Sequence, residues 1–245
     1  MKKIHLVMPM AGEGLRFKKK EFQVPKPMIL LDGKPFFYWS TKSITNFIDV
    51  QDITFVVLKS HVIDFQIDKC IKQFFPDAKI VILNHTLNGA LLTCLEGVKH
   101  IRDDLPIIFN DCDHAFVSQK FNEFCLHELS APIDGALLTF KSNESKFSYL
   151  KLDEHENVVQ TVEKQVISNY AICGAYFFKN KTIFLDNSKE YLCSCHYQEY
   201  FLSGVYNIMA ARHLVIKNFP CDVHCSFGTP EEFKRVKNID FLENK

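Results

Sequence analysis

Short apolar runs alternate along this chain with longer segments in which apolar residues recur every three or four positions. Lys3 to Pro9 is an apolar run that ends at a glycine-rich turn, the pattern of a buried first strand. Phe36 to Phe47, after LDGKP, has helical spacing. Asp52 to Lys59 (DITFVVLK) predicts a second strand, and Ile63 to Phe75 a helix. Ala78 to Leu83 predicts a third strand. Asn88 to Ile101 predicts a helix with Asn88 as its N-cap, and Pro106 to Asp111 a fourth strand. Strands alternating with helices of this length imply an α/β domain whose sheet is mainly parallel and joined by crossovers.

Beyond about residue 130 the texture changes. GALLTFK, FSYLKL, NVVQTVEK and AICGAYFFKN follow one another with little helical pattern between them, so strands extend or cap the sheet and make it mixed. A helix is predicted over Gln198 to Ala211, strands over Leu214 to Lys217 and Asp222 to Ser226, and a last helix from Pro230. No Pro/Ser-rich linker, repeat or low-complexity stretch divides the chain. The expectation is one domain over residues 1–245, with a first half (about 1–130) and a second half (about 131–245) facing different ligands.

Composition narrows the classes. Lys+Arg and Asp+Glu both number 29 over 245 residues, so no net basic or acidic field points to nucleic acid or a membrane surface, and any anion recognition is local. The nine cysteines are odd in number and lack zinc-ligand spacing; LCSCH holds C-x-C rather than C-x-x-C, which favours free thiols in a reducing cytoplasm. The apolar run behind Met1-Lys2-Lys3 is too short for a signal-peptide core or a membrane span.

The candidate chemistry begins in MPMAGEGLRF (Met8 to Phe17) and VPKPM (Val24 to Met28). Gly12 and Gly14 allow close backbone approach to a ligand, so that amides can converge on phosphate oxygens, and Arg16 adds a forked cation. Phe17 stands where the dinucleotide fingerprint G-x-G-x-x-G would have its last glycine, and there is no G-K-[ST]. Lys26 lies between Pro25 and Pro27, which restrict its approach. A rigid surface turn with a solvated lysine is the plain alternative for PKP alone; the Gly-Arg loop before it favours a phosphate site. FNDCDHAF (Phe109 to Phe116) holds Asp111 and Asp113 two apart at a strand end. If the strand persists, both carboxylates face one way and need a cation such as Mg²⁺, with Mn²⁺ as a substitute. An Asx-turn closing the strand is the alternative there.

These motifs together resemble the sugar-phosphate nucleotidyltransferases, whose pattern is G-x-G-x-R followed by P-K-P. EKQVISNYAICGAYFF (Glu163 to Phe178) is similar to the family's E-K segment and substrate strand, and FGTPEEF (Phe227 to Phe233) to its late G-T-P-E turn. The resemblance runs in order over about residues 4 to 240. It implies a Rossmann-like (GT-A-like) three-layer sandwich and transfer of a nucleotidyl group from an NTP to a phosphorylated small molecule, with release of pyrophosphate. It implies Arg16 and Lys26 as catalytic residues, and Met10, Ala11, Gly12, Glu13, Gly14, Asn88 and Gly89 as the nucleotide site. Asp113, then Asp111, would bind the metal. Glu163, Lys164, Gly174 and Tyr176, with Glu199 and Ser203 at the start of the following helix, would border the acceptor.

The chain departs from the family where many relatives have a second metal-binding Asp, since that position is Ser226; Asp222 or His224 is a candidate substitute, or Asp113 with phosphates and water holds the metal. Of the remaining histidines, His114, beside the Asp pair, is the one with a candidate role. CDH and SFGTPEEF are most similar to short nucleotidyltransferases of bacterial surface-polysaccharide loci. That implies CTP and a small non-sugar phosphate, with UTP, dTTP or GTP and a sugar 1-phosphate left open. DCD would also suit the D-x-D of a GT-A glycosyltransferase, which does not require G-x-G-x-R with P-K-P; a catalytically silent homologue is a third reading, given Ser226.

Overall fold

The computed structural model describes residues 3–18, 22–236 and 239–242. β1 (Ile4–Pro9) leads to a one-turn helix α1 (Leu15–Lys18), a small hairpin of β2 (Leu30–Leu31) and β3 (Lys34–Pro35), and α2 (Phe36–Thr45). β4 (Val50–Leu58), α3 (Lys59–Phe65), α4 (Ile67–Phe74), β5 (Lys79–Leu83), α5 (Ala90–Gly97) and β6 (Ile107–Asn110) complete the alternating half. β7 (His114–Val117) and α6 (Gln119–His127) lead into β8 (Gly135–Lys141), β9 (Ser148–Leu152), β10 (Val158–Glu163) and β11 (Tyr170–Phe178). α7 (Lys181–Ser194), α8 (Val205–Ala211), β12 (Ile216–Pro220), β13 (Val223–Ser226) and α9 (Pro230–Arg235) follow.

One mixed sheet organises the molecule. Its core β5-β4-β1-β6 is parallel, and β11 joins β6 antiparallel. β11 also pairs with β8, which carries β12 parallel on its far edge, and the β9–β10 hairpin continues beside the start of β11. Alternation along β1 supplies both faces: Ile4, Leu6 and Met8 pack toward α2, α4 and α6, whereas Val7 packs toward α5, α7 and α8. The result is an α/β domain with the mixed, mainly parallel sheet expected from the pattern, in the three layers that the family resemblance implies. β1 lies between β4 and β6, so the chain leaves it toward one side and returns on the other. The crevice at the carboxyl ends of β1 and β6 is where such sheets bind ligands.

Four local expectations change. Gln66 is left-handed (φ 53°) and breaks the predicted helix over Ile63–Phe75 into α3 and α4. α7 is a helix that the apolar pattern hides, because its buried stripe of Phe184, Asn187, Ser188 and Tyr191 is half polar. Its one sequence signal is Asn180, whose side chain accepts from the Ile183 amide at 2.8 Å. The helix predicted from Gln198 starts only at Leu202, as a 3₁₀ turn before α8, because the Tyr200 amide bonds the Asn88 carbonyl and the Tyr200 carbonyl takes the Leu91 amide. Asn88 is correspondingly not the cap of α5: Gly89 holds that place, and the Asn88 side chain donates to the Gln198 carbonyl at 3.0 Å.

The nine cysteines are free, among them Cys173 and Cys221 with sulfurs 3.7 Å apart. Among the described residues no helix is long and apolar enough to cross a membrane.

α5 lies directly on the sheet through Gly97, where an added Cβ would come within 2.6 Å of Val7 Cγ1 and 2.9 Å of Val56 Cγ2. Gly97→Ala therefore overpacks two fully buried strand residues. We expect it to cost about 1–3 kcal/mol despite the better helix propensity of alanine, measured as a lower urea midpoint at unchanged slope. An equal or higher midpoint would contradict this contact.

Candidate active site

The first loop is fixed from below by aromatic packing. Phe17 is buried against Phe22 and Phe36, with ring centroids 5.1 and 5.8 Å away, and Phe36 meets Phe227 of the late turn at 4.6 Å. The residue that breaks the dinucleotide fingerprint is thus the loop's anchor, and it ties the loop to the GTPEE turn. Gly14 has φ +63°, and a Cβ there would sit 3.1 Å from Lys26 Cβ, so glycine lets the PKP turn lie against the loop. Ala11, Gly12, Glu13 and Gly14 line a cleft of about 710 Å³, closed on the far side by Asn88 and Gly89. Met10 differs from expectation. Its amide bonds the Val56 carbonyl and its side chain is buried in the core under α2, because the strand alternation carries past Pro9.

Lys26 Nζ lies 2.9 Å from Asp113 Oδ2. Burial works against the charge of Lys26, but Asp113 and its neighbours more than offset it and raise the lysine pKa. Burial also opposes ionisation of Asp113, and Lys26 outweighs it, so this carboxylate is held below the ordinary range. Asp111 is in the opposite state. Burial, then repulsion by Asp113, pushes it up to about 7, and among the described residues no hydrogen bond or ion pair reaches its side chain. The strand expected to carry both carboxylates ends at Asn110, since β7 turns away to pair with β13. Both nevertheless reach the same cleft, Asp111 because Gly174 leaves room: at φ +82°, a Cβ on it would come 2.7 Å from Asp111 Oδ2.

A second pocket of about 250 Å³ joins the first where Arg16, Asp111 and Asp113 line both. Its walls carry Glu163, Lys164, Gly174, Tyr176 and Glu199. Glu163 Oε1 accepts from the hydroxyls of Ser148 (2.6 Å) and Ser203; burial nevertheless raises its pKa. Ser203 itself is buried behind Glu163, so it supports the wall. Lys164 has φ +55° and lays its ammonium 5.0 Å from the Phe201 ring centroid.

The substitutes considered for the missing aspartate are engaged elsewhere. Asp222 accepts the Gln119 amide at 2.7 Å. His224 is stacked on Phe140 with centroids 3.7 Å apart, and its Nε2 is 2.8 Å from His114 Nδ1. Burial and His114 hold His224 neutral. His114 lines the smaller pocket, with Nε2 3.8 Å from Asp113 Oδ1. Ser226 donates to Glu232 Oε1 at 2.7 Å, and Glu232 lines the same pocket. Glu232 lay within the quoted GTPEEF turn but had no predicted role. Lys146, which also lines this pocket, stands in a polar loop with no sequence signal.

No protein-family model matches the chain. It is 25% identical over 162 residues to the 2-C-methyl-D-erythritol 4-phosphate cytidylyltransferase of Fusobacterium nucleatum, a match over 65% of this chain and 66% of that protein. Among solved structures, the nucleoside-diphosphate-sugar pyrophosphorylase of Vibrio cholerae superposes with TM-score 0.79 at 24% identity, over 98% of this chain and 100% of that one. The inositol-1-phosphate CTP transferase of T. maritima gives 0.75 at 15%, over 99% and 94%. A UDP-glucose pyrophosphorylase complexed with UDP-glucose gives 0.72 at 16%, over 95% and 96%. The fold is therefore that of the nucleotidyltransferases. Along nearly the whole chain the superpositions bear out the fold that the ordered motifs implied, and the cytidylyltransferase match is in keeping with their resemblance to sugar-phosphate nucleotidyltransferases.

Folded Asp111 keeps its proton up to about pH 7, whereas the unfolded chain loses it near the ordinary value of 3.8. Between those limits the unfolded state binds fewer protons, so stability falls as pH rises. In the absence of nucleotide and divalent cation, Asp111→Asn should be more stable than the parent at pH 8, by on the order of 1–2 kcal/mol. The advantage should shrink toward pH 4. A thermal-melting series over this range checks it, and a constant or reversed difference would contradict the assignment.

Proposed function

We propose that the protein is a nucleotidyltransferase that couples an NTP, with CTP as the favoured nucleotide, to a small phosphate monoester and releases pyrophosphate. The observation that carries this reading is the Lys26–Asp113 pair, set where two pockets of unequal size meet. Residues of the first half, with Glu199 and Gly228 of the second, line the larger cleft, which takes the triphosphate, and residues of the second half supply most of the smaller one, which takes the acceptor.

In this reading the amides of the Gly12–Gly14 loop and the Arg16 guanidinium hold the β- and γ-phosphates. The backbone at Asn88 and Gly89 meets the base. An anionic oxygen of the acceptor phosphate attacks the α-phosphorus as the bond to the β-bridging oxygen breaks. Pyrophosphate leaves with that electron pair. The attacking oxygen is already ionised at pH 7, so no general base and no covalent enzyme intermediate are needed. Positioning and charge neutralisation are the protein's task, and Lys26 places its ammonium beside the α-phosphate.

The donor set fits a divalent ion. Asp111 is a carboxylate without a countercharge of its own and Asp113 lies beside it; one or two carboxylates plus phosphate oxygens are a usual Mg²⁺ environment. Bound there, Mg²⁺ or Mn²⁺ would supply Lewis-acid neutralisation at the α-phosphate. Glu163 and Glu199 would receive hydrogen-bond donors of the acceptor.

CTP is supported by the cytidylyltransferase and CTP transferase among the compared proteins. The short surface-polysaccharide enzymes that CDH and SFGTPEEF resemble, such as the CTP:phosphoglutamine cytidylyltransferase of capsule phosphoramidate synthesis, support a small non-sugar acceptor and a role in making bacterial capsule or surface polysaccharide. The pyrophosphorylases among the structural neighbours keep UTP, dTTP or GTP with a sugar 1-phosphate as the second reading.

Four NTPs screened against a panel of phosphate monoesters, with pyrophosphate as the readout, decide between them. Glycosyl transfer, the remaining chemistry, releases none. With the best pair, Lys26→Ala should lower kcat about 10²–10³-fold, the scale of one preorganised donor; activity within threefold of the parent would refute the role of Lys26.

A further inference from the structure

The smaller pocket holds a cation for which the sequence offered no role. Lys146 stands in the loop between β8 and β9 and lines this pocket together with Arg16, Asp113 and Gly228. Its backbone is held from several sides. The Phe147 amide bonds the Glu144 carbonyl at 3.3 Å, that carbonyl also accepts the Tyr149 hydroxyl at 2.8 Å, and the Phe147 carbonyl takes the Lys164 amide at 3.1 Å. The Phe147 ring packs edge-on against Phe140 at 5.0 Å and reaches His114 at 6.3 Å, beside Asp113. The loop is thus clamped next to the proposed reaction centre, and only the lysine's own four-carbon chain is free to adjust.

Its ammonium lies between two carboxylates, 2.8 Å from Glu144 Oε2 and 2.9 Å from Glu232 Oε1. Glu232 is set in turn by the Ser226 hydroxyl, and its other oxygen approaches the same glycine as Asp113: an ideal Cβ on Gly228 would lie 3.5 Å from Glu232 Oε2 and 2.5 Å from Asp113 Oδ2. An ammonium has three N–H donors. The two carboxylates take two of them and leave one without a hydrogen-bond partner among the described residues. Burial disfavours the charge of Lys146, but these two partners outweigh it and keep the group protonated. The Lys146 ammonium also lies 4.8 Å from the Phe147 ring centroid, much as Lys164 lies 5.0 Å from that of Phe201, but among the three pocket cations Lys146 has the carboxylate pair, and Arg16 sits at the seam with the larger cleft.

From this geometry we infer that Lys146 is an acceptor-binding residue: its uncommitted N–H binds a phosphate oxygen of the acceptor, while Glu144 and Glu232 hold the ammonium in place. Serine at position 226 then has a role of its own, since its short hydroxyl orients Glu232, and through it Lys146, on the acceptor side. The ligand chemistry is a phosphate monoester dianion, recognised by its phosphate rather than by the group it carries. This rests on the nucleotidyl-transfer reading for the identity of the ligand, but the phosphate contact can be tested without turnover.

Two measurements on Lys146→Met and Lys146→Arg test it. In calorimetric titration with inorganic phosphate at constant ionic strength, the methionine variant should bind at least tenfold more weakly than the parent, and the arginine variant within threefold. In pyrophosphate-release kinetics, the methionine variant should raise the acceptor KM at least tenfold and leave the NTP KM within threefold; a merely structural role would move both. Phosphate affinity or acceptor KM of Lys146→Met within twofold of the parent overturns the assignment. Should the parent itself release no pyrophosphate with any NTP and monoester, nucleotidyl transfer fails as the function, and the phosphate titration still decides the role of Lys146.

Discussion

A surplus of carboxylates around one small volume is the constraint from which the rest of the site follows. Asp111, Asp113 and Glu163 converge on the carboxyl ends of the central strands, and burial penalises the charge of each. Lys26 settles the account for Asp113 alone, through a 2.9 Å contact. Asp111 is left at a pKa of about 7, and Glu163 relies on two serine hydroxyls. A cleft that keeps such charge without matching it internally is arranged for cations that arrive with a ligand. In the proposed reaction a polyphosphate would bring them, and the loop amides, Arg16 and Lys26 would meet its negative charge.

Rigidity of the wall formed by the first loop comes from apolar packing. Phe17, Phe36 and Phe227 make a cluster below the first loop, shared with Trp39, Ile29 and the β7–β13 pair. Two segments more than two hundred positions apart, the glycine loop and the GTPEE turn, thereby become one surface. Arg16 and Glu232 are both carried on that surface, and Glu232 is held further by the Ser226 hydroxyl and the Lys146 ammonium. Gly174 does the equivalent on the strand side by leaving the volume that the Asp111 carboxylate occupies. The smaller pocket is built the same way, with the Phe140–Phe147–His114–His224 group clamping the loop that carries Lys146.

Much of the fold was legible because burial imposes periodicity. The strands β1, β4 and β6 read as mainly apolar runs, and α2 and α5 as spaced ones. α7 was not legible, since its inner face uses Asn187 and Ser188. Asn187 donates to the Ile183 carbonyl and accepts from Arg212, so it is satisfied without looking apolar, whereas the buried Ser188 hydroxyl has no hydrogen-bond partner among the described residues. Glycine spacing, proline bracketing and motif order singled out the Gly12–Gly14 loop, Lys26, the two aspartates and Glu163, and the fold brings these residues to two adjoining pockets. Met10 was assigned to the ligand when it belongs to the core, and Lys146 and Glu232 went unassigned.

The sequence by itself determined what local chemistry can determine: where backbone can turn tightly, where a cation is braced, where two carboxylates follow a strand, and the order in which these occur. Only the tertiary structure decided which of them meet. The 87 positions between Lys26 and Asp113 and the 86 between Lys146 and Glu232 carry no sequence signal of contact, because such pairings are set by strand order and loop packing. The same holds for charge state. The two aspartates differ by one intervening residue, yet one is held ionised and the other is raised toward neutrality, since desolvation and the position of a single ammonium are properties of the assembled cleft.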